Sequence, residues 1–469
     1  WLVGNSEGAN FNSIGIVQSN GTIASAGGNI RTASSVSYQE DGNVHKFNPG
    51  SAAQSYAAWG ANTGHRPVLF VKAGKIWFGL DKNAGSVTWN GDPDAGTGEA
   101  ASGLTGLFNF VAYHYQNSSM RFNFGAIAFL YSPPTGGKSI NTAKLPTPAI
   151  INPDEHFFSK VVDHDGSSTD TTCGFNLETN EWLAIIKNTT GADEGWYMID
   201  SVRGVTKVVF MNTTAAETTD ANVLTVSGAT FTLGSTLSDK DYYVEIHRAG
   251  LTSAKASNEE GSLNTTATLA NTLSGFAIST YVGEGANRTY GHGLDSAPEW
   301  TITKLRVGAD QGNYAWHVGL GNGTKLIYPH LDNAVDTAAS VFNSTQPSAT
   351  LNSLGNQVGV NTDDYTYVNW SWHDVDGYSS IGSYIATVPA SANGPFAFLG
   401  GSPQSMLIKD FVGAANWEIF STAMSPTNPM VNEIFPNTAG DIGTNGGIDF
   451  TSTGMKARNT GDPNNTGRS

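Results

Sequence analysis

The stretch that decides the fold reads Glu299-Trp300-Thr301-Ile302-Thr303-Lys304, then Tyr314-Ala315-Trp316-His317-Val318, then Tyr365-Thr366-Tyr367-Val368-Asn369-Trp370-Ser371-Trp372. Much of this order of features occurs twice more, starting at Glu181 upstream and at Gln404 downstream. Each copy has an apolar segment that ends in lysine, a turn that contains glycine, and a second apolar segment with aromatic residues. A period of about 100–120 residues is too long for a solenoid unit and predicts a tandem of small domains.

The composition predicts an all-β protein. Of the 469 residues, 55 are glycine and only 14% are charged. Glycine and asparagine accept the positive φ of tight turns between short strands. No apolar pattern of helical period is sustained over three turns. Both faces of Trp182–Lys187 are apolar, which predicts a strand between two layers, so we expect tandem β-sandwiches.

Charge and cysteine content exclude several classes of protein. The net charge of −16 argues against nucleic-acid binding, which needs clustered lysine and arginine. No stretch approaches 18 apolar residues, so we expect no membrane insertion. The single cysteine, Cys173, predicts synthesis in a reducing cytoplasm. The chain begins at Trp1 without a signal peptide, which predicts a fragment or a processed chain.

Three segments in the first third of the chain carry a family resemblance: Ile76–Asp81, Ser86–Gly91 and Met120–Gly125. In this order they resemble the strands of a SPRY domain, and the resemblance covers about Ile14–Pro148. It implies a two-sheet β-sandwich over 1–153, which we expect to be incomplete at its N-terminus because the usual opening strands before Ile14 are absent or cut short. Proline-rich segments up to Pro148 predict a stiff linker and a boundary near Pro153.

The repeats predict three further β-sandwich domains, at 154–273, 274–378 and 379–469. Each is expected to open with an aromatic-bearing strand, which in the third repeat is Ile381–Thr387. Closing strands are expected at Asp241–Ile246 and Tyr365–Trp372. The third repeat reaches Ser469 without one, so we expect an unpaired sheet edge that further chain or another subunit completes.

A second resemblance covers about Pro148–Ser469. It is carried by the tryptophan-containing strands, Asp200–Gly204, Asn212–Thr218 and Thr230–Gly234. This region looks like the β-sandwich modules of tail-associated and fibre-like proteins of tailed bacteriophages. The resemblance implies a non-enzymatic virion structural protein with a jelly-roll-like or SPRY-like architecture, with other virion proteins as partners and homo-oligomeric assembly. Its rigid modules would extend from the particle and contact a partner or a host-surface glycan through their loop tips.

Four residues of the second repeat are the candidate glycan-binding site: Trp316, Trp370, Trp372 and His373. Sugars present apolar C–H faces ringed by hydroxyls, so an aromatic platform beside polar groups suits them. Trp370 and Trp372 lie on one face of their strand. The competing interpretation is that these tryptophans fill a β-sandwich core.

The sequence predicts no catalytic residue and no cofactor. Asp92, Asp94 and Glu99 lie in a glycine-rich loop that suits Ca²⁺ only weakly, because their spacing does not match an EF-hand. His156 and His164 lie near acidic residues without a fixed ligand spacing. The one G-x-S-x-G match, Gly4–Gly8, is not followed by a helical pattern. Two alternatives stay open: a secreted or cell-surface lectin-like adhesin, and a polysaccharide-degrading tail enzyme with paired carboxylates.

Overall fold

The computed structural model describes residues 2–5, 12–18, 35–47, 54–59, 65–82, 85–105, 108–113, 119–124, 128–138, 149–191, 194–308, 310–386, 394–444 and 447–458. The chain folds as two compact units, residues 1–147 and 148–469. Antiparallel strands dominate both units, and the described residues include no α-helix. The 3-10 helices among them are Pro153–Glu155, Thr252–Ala254 and Val318–Leu320. The prediction of an all-β protein is confirmed.

The described strands of the first unit form three antiparallel sheets. They are β1 Leu2–Asn5, β2 Ser13–Gln18, β3 Ser35–Gln39, β4 Asn43–Lys46, β5 Gln54–Ser55, β6 Arg66–Lys72, β7 Lys75–Asp81, β8 Thr88–Trp89, β9 Phe108–Tyr113 and β10 Ser119–Phe122. One of these sheets is the pair β1-β10. The sheet β5-β4-β3-β2-β9 and the sheet β6-β7-β8 share one buried core, to which they contribute Val36 and Phe78 respectively. The predicted strand Ile76–Asp81 is confirmed as part of β7. The SPRY resemblance itself stays a prediction.

The second unit contains the three repeats. Repeat 1 has β11 Phe157–Asp165, β12 Thr169–Thr172, β13 Asn180–Asn188, β14 Tyr197–Asp200, β15 Lys207–Phe210, β16 Thr218–Thr219, β17 Leu224–Ser227, β18 Thr230–Leu233 and β19 Asp239–Leu251. Repeat 2 has β20 Ala267–Asn271, β21 Phe276–Val282, β22 Arg288–Gly291, β23 Trp300–Val307, β24 Asn313–His317, β25 Lys325–Leu326, β26 Asp336–Thr337, β27 Leu351–Leu354 and β28 Thr366–Trp372. Repeat 3 has β29 Phe396–Phe398, β30 Ser405–Lys409, β31 Trp417–Ser421, β32 Ile448–Thr451 and β33 Gly454–Ala457.

Pairing shows which strands correspond. Repeat 1 has the sheet β11-β19-β13-β14-β15-β16, repeat 2 has β20-β21-β28-β23-β24, and repeat 3 has β30-β31. We call β13, β23 and β30 the lysine strands, because Lys187, Lys304 and Lys409 occupy the same position in them. We call β14, β24 and β31 the second strands, and β19 and β28 the closing strands. Both predicted closing strands are therefore present, and β19 is longer than predicted.

The two faces of the lysine strands bury different sets of residues. In β13, Leu183 and Ile185 join a core that also contains residues of repeats 2 and 3, whereas Trp182 and Ile186 join a core within repeat 1. Every residue of β13 is buried. Because successive side chains of a strand point to opposite faces, both faces of β13 are covered. The predicted position between two layers is confirmed.

One core joins all three repeats. Ile185 of repeat 1, Ile302 of repeat 2 and Ile419 of repeat 3 belong to the same buried cluster, which we call the common core. Each repeat also has a core of its own on the far side of its main sheet. The three repeats of residues 148–469 therefore share buried apolar surface in addition to the core that each has of its own. Three apolar sheet faces remove more surface from water when they meet than when each faces solvent.

Two local predictions in the repeats need correction. The order of features in the sequence makes Trp182 the counterpart of Trp300. When the lysines of the two strands are aligned, the counterpart of Trp300 is Leu183 instead. The two indoles therefore lie on opposite faces of their sheets. Repeat 1 has one residue more between tryptophan and lysine, and one residue reverses the face in a strand. In addition, residues 381–386 form no strand, although Ile381–Thr387 was expected to open repeat 3.

Candidate functional site

Three lysines at the same position of the three repeats link them in a cycle. Each ammonium donates a hydrogen bond to a backbone carbonyl of a neighbouring repeat: Lys187 to Ala439 at 3.1 Å, Lys304 to Thr213 at 3.0 Å, and Lys409 to Asp332 at 3.2 Å. Repeat 1 thus bonds to repeat 3, repeat 3 to repeat 2, and repeat 2 to repeat 1. Burial lowers the pKa of Lys304 to about 8, although the charge of Asp310 acts to raise it.

A second cycle of hydrogen bonds runs in the same direction. It starts from Trp196, Asn313 and Trp417. Asn313 and Trp417 pair directly with the lysines of their repeats, and Trp196 comes immediately before the second strand of repeat 1. Each side-chain nitrogen donates to two carbonyl oxygens of the next repeat: Trp196 to Phe435 and Thr438, Asn313 to Phe210 and Met211, and Trp417 to Tyr328 and Leu331. Two matching cycles give the unit an internal pseudo-threefold arrangement.

Buried ions fix the contact between repeats 1 and 2. The Arg203 guanidinium contacts Asp200 at 2.5 Å and Glu217 at 3.0 Å, and Arg306 of repeat 2 contacts the same Glu217 oxygen at 2.8 Å. The Trp370 indole donates to Asp200 at 3.2 Å and lies 5.5 Å from the Arg203 guanidinium carbon. Burial acts to raise the pKa of Glu217, but the hydrogen bonds and charges of the two arginines outweigh burial and lower it.

A cavity of about 740 Å³ lies among the three repeats. Its walls include Glu245 and His247 of β19, Trp300 of β23, Trp372 of β28 and the whole of β30. Residues 377–384 and Ala386 also line it. A volume of this size falls in the range of ligand-binding cavities, and the mixture of aromatic walls with a few polar groups is typical of them.

The polar end of the cavity is built around Glu245. This carboxylate accepts hydrogen bonds from His247 at 2.7 Å, from Tyr243 at 2.5 Å and from Ser405 of repeat 3 at 3.2 Å. Burial acts to raise the pKa of Glu245, but the hydrogen bond and charge of His247 and the hydrogen bonds from Tyr243 and Ser405 lower it. The His247 ring lies 5.1 Å from Phe157, 5.4 Å from Phe276 and 5.8 Å from Trp372.

Residues 152–469 match a family described as a domain of unknown function (DUF7483), and this region is more than half of the chain. The chain belongs to the DUF7483 family. The matched region contains all three repeats, both hydrogen-bond cycles and the cavity. No curated protein and no solved structure matches the chain. Among the described residues of this DUF7483 protein, none lies in a helix long and apolar enough to cross a membrane.

The structure separates the four residues of the predicted glycan site. Trp370 is fully buried in the common core, and Trp316, 3% exposed, lies in the core of repeat 2 on the other side of the sheet. Trp372 is half-buried and lines the cavity, with its ring centre 4.9 Å from that of Phe276. His373 bonds to Glu299 at 2.9 Å. Trp316 and Trp370 therefore lie in cores on opposite faces of one sheet, as the competing interpretation predicts for them. A glycan-binding site at these four residues stays a prediction.

The candidate Ca²⁺ residues have other partners. Asp92 accepts from the Ala95 backbone at 2.9 Å, Asp94 accepts from the Thr135 backbone at 2.5 Å, and Glu99 lies 3.4 Å from the Lys75 ammonium. Across the described ranges, no three His, Cys, Asp or Glu side chains gather as a metal site would require. This loop therefore carries no argument for Ca²⁺.

The two candidate histidines do not meet. Nδ1 of His156 bonds to Asn271, and Nδ1 of His164 bonds to Thr169, each at 3.0 Å. Ser6 of the Gly4–Gly8 motif lies outside the described residues. The site residues that the sequence interpretation missed are Glu245, His247 and Ser405. The recurrence of a lysine at the same position of each repeat was the feature of the sequence that indicated a contact common to all three repeats.

Glu245 makes the stability of the DUF7483 region dependent on pH. Because the pKa of Glu245 in the folded state lies below its ordinary value of 4.5, ionised Glu245 stabilises the fold above pH 4.5 and this contribution is lost as the pH falls through the folded-state pKa. We expect Glu245→Gln to lower the melting temperature at pH 7 and to differ less from the wild type at pH 3. Thermal unfolding at both pH values measures this.

The matched control for this experiment is Glu259→Gln, since Glu259 is exposed. We expect it to follow the wild-type profile at both pH values. The role of the Glu245 charge would be contradicted if the difference in melting temperature between Glu245→Gln and the wild type were the same at pH 7 and at pH 3.

Proposed function

We propose that this protein is a non-enzymatic structural component of a bacteriophage particle, with other virion proteins as its partners. The observation that carries the proposal is the double cycle of hydrogen bonds, which locks three repeats into one body around a common core. Such a body suits a mechanical role, because no repeat can move without breaking several hydrogen bonds to its neighbours, each of which contributes about 0.5–3 kcal/mol. The resemblance of Pro148–Ser469 to phage tail-associated modules supports the same function.

The arrangement around Glu245 argues against serine hydrolase chemistry. A catalytic serine needs a histidine that takes its proton, and an acid that orients this histidine. Here Ser405 and His247 both donate to Glu245, so the carboxylate lies between them and no base contacts the serine oxygen. This order of groups builds a hydrogen-bond network that holds repeats 1 and 3 together.

The same geometry argues against glycosidase chemistry at the cavity. A general acid of a glycosidase needs a raised pKa, so that it carries a proton near neutral pH. The pKa of Glu245 is lowered, and three donors already occupy its oxygens. We therefore propose no polysaccharide-degrading activity for this cavity.

Recognition of a host-surface glycan and homo-oligomeric assembly stay predictions from the sequence. Because Trp316 and Trp370 are buried, glycan binding would use surfaces other than the predicted four-residue platform. A glycan array and a whole-cell binding assay with the purified protein test this prediction, with and without Ca²⁺. Saturable binding to a host polysaccharide would support a receptor-binding role, and its absence in a folded protein would leave an architectural role.

The experiment that tests the structural role is mass spectrometry of phage particles purified by density gradient, together with immunogold labelling. We expect peptides of this protein at a fixed ratio to known particle proteins, and gold at the particle surface. Recovery only in the soluble fraction of the lysate would overturn the proposal. Gold on the cell envelope instead of on particles would favour the adhesin alternative.

A further inference from the structure

The core of repeat 2 is polar at a place where the core of repeat 1 is apolar. When the lysines are aligned, four buried positions of the lysine strand and the closing strand differ in this way. Repeat 1 fills them with Ala184, Ile186, Val244 and Ile246, and repeat 2 fills the same positions with Thr301, Thr303, Asn369 and Ser371. All eight residues are at most 3% exposed. A buried polar group destabilises a fold unless it has a hydrogen-bond partner, so repeat 2 needs partners here that repeat 1 does not need.

Hydrogen bonds join this polar face of the main sheet to the sheet β22-β27. Asn369 donates to the Thr303 hydroxyl at 2.9 Å, and Ser371 donates to the side-chain oxygen of Asn369 at 2.7 Å. Asn352 of β27 donates to Ser371 at 3.1 Å and to Tyr290 of β22 at 3.0 Å. Ser371 gives its only hydrogen to Asn369, so the atom of Asn352 beside it is the amide nitrogen. The amide oxygen of Asn352 therefore needs another partner.

Two polar atoms at this place lack a hydrogen-bond partner among the described residues. One is this amide oxygen, Oδ1 of Asn352, and the other is the indole nitrogen, Nε1 of Trp316. Trp316 lies directly opposite Thr301 on the neighbouring strand β24. Trp316 is 3% exposed and Asn352 is 4% exposed, so neither atom reaches bulk solvent. The first atom is an acceptor and the second is a donor.

Trp316 and Asn352 line the same small pocket, together with Thr301, Thr303 and Asn369. The volume of this pocket is about 10 Å³, which is close to the space that one buried water molecule occupies. The two unpartnered atoms also specify the charge of an occupant. A cation would face the positive end of the indole N–H bond, and an anion would face the negative amide oxygen. A small neutral molecule that both accepts and donates hydrogen bonds fits both atoms.

We propose that one water molecule is bound in this pocket and bridges Trp316 of the main sheet to Asn352 of the sheet β22-β27. The water accepts a hydrogen bond from the indole N–H and donates one to Oδ1 of Asn352. The hydroxyls of Thr301 and Tyr290 line the same pocket and are its further partners. A bridging water contributes nearly as much as a direct hydrogen bond. It thus takes the place in repeat 2 that apolar packing has in repeat 1.

Nuclear magnetic resonance of the full chain, with isotopically labelled tryptophan, tests for this water. A long-lived water beside an N–H group gives a dipolar cross-peak between that proton and the water signal. We expect this cross-peak for the indole proton of Trp316, which is the resonance that Trp316→Phe removes. The matched control is Trp182, which is also buried but donates to the Leu177 carbonyl at 3.0 Å. We expect no water cross-peak for the Trp182 indole.

Asn352→Leu removes the acceptor and keeps a side chain of similar size. We expect it to abolish the water cross-peak of Trp316 while the indole resonance itself remains. A crystal structure of the unsubstituted chain, at a resolution that shows ordered waters, is the second measurement. It should show a density peak about 2.7–3.2 Å from both Nε1 of Trp316 and Oδ1 of Asn352. A pocket without such a peak, a direct hydrogen bond between these two side chains, or a cross-peak that persists in Asn352→Leu would overturn the proposal.

Discussion

Arg203→Met is expected to lower the free energy of unfolding by about 3–5 kcal/mol, since it removes one partner from a buried ion network. The side chains of Arg203 and Asp200 are fully buried, and that of Glu217 is 6% exposed. Methionine retains most of the apolar volume of the arginine side chain. The decrease in the free energy of unfolding therefore reports the lost charge and not lost packing. Glu217 keeps Arg306, but Asp200 loses its only charged partner within the network.

Urea unfolding followed by circular dichroism measures the effect. Arg288→Met is the matched control, because it breaks an ion pair at the surface, where Arg288 and Glu284 are 32% and 45% exposed. An exposed pair of this kind contributes less than about 1 kcal/mol. If both substitutions lower the free energy of unfolding by the same small amount, the network around Arg203 does not hold repeats 1 and 2 together.

Trp370→Ala is expected to lower the free energy of unfolding by about 3–5 kcal/mol, the usual cost of removing a large aromatic side chain from a core. Trp370 is fully buried in the common core and donates to Asp200 at 3.2 Å. The substitution leaves a cavity between the repeats and removes a donor from a buried carboxylate. If Trp370 were instead an exposed residue that stacked against a sugar, its substitution by alanine would lower the free energy of unfolding only slightly.

The comparison variant is Trp372→Ala, because Trp372 lies on the same face of β28 but is half-buried at the cavity wall. We expect a smaller loss than for Trp370→Ala in the same denaturation experiment. A Trp370→Ala protein of unchanged stability that had lost glycan binding would contradict the core role and restore the predicted platform.

The two substitutions are expected to be non-additive. Arg203 and Trp370 both contact Asp200, and the guanidinium lies over the indole. Residues that share a partner typically couple by about 0.5–3 kcal/mol in a double-mutant cycle. A coupling energy of this size would show directly that repeats 1 and 2 share this contact.

The sequence alone determined the fold class, the three repeats and the two-sided burial of their central strands. These features follow from local pattern: glycine and asparagine mark tight turns, and apolar residues at every position of Trp182–Lys187 require cover on both faces. A third repeat without a closing strand stays a prediction from the residues.

Only the tertiary structure decided what each strand face packs against. Alternation along a strand shows which side chains share a face, but it does not show whether that face meets solvent, a second sheet or another repeat. Trp370 and Trp372 share a face as predicted, yet one is buried and the other lines a cavity. The bond from Lys187 to Ala439 joins residues 252 positions apart. Such contacts depend on how three sheets meet around one core, which no local pattern specifies.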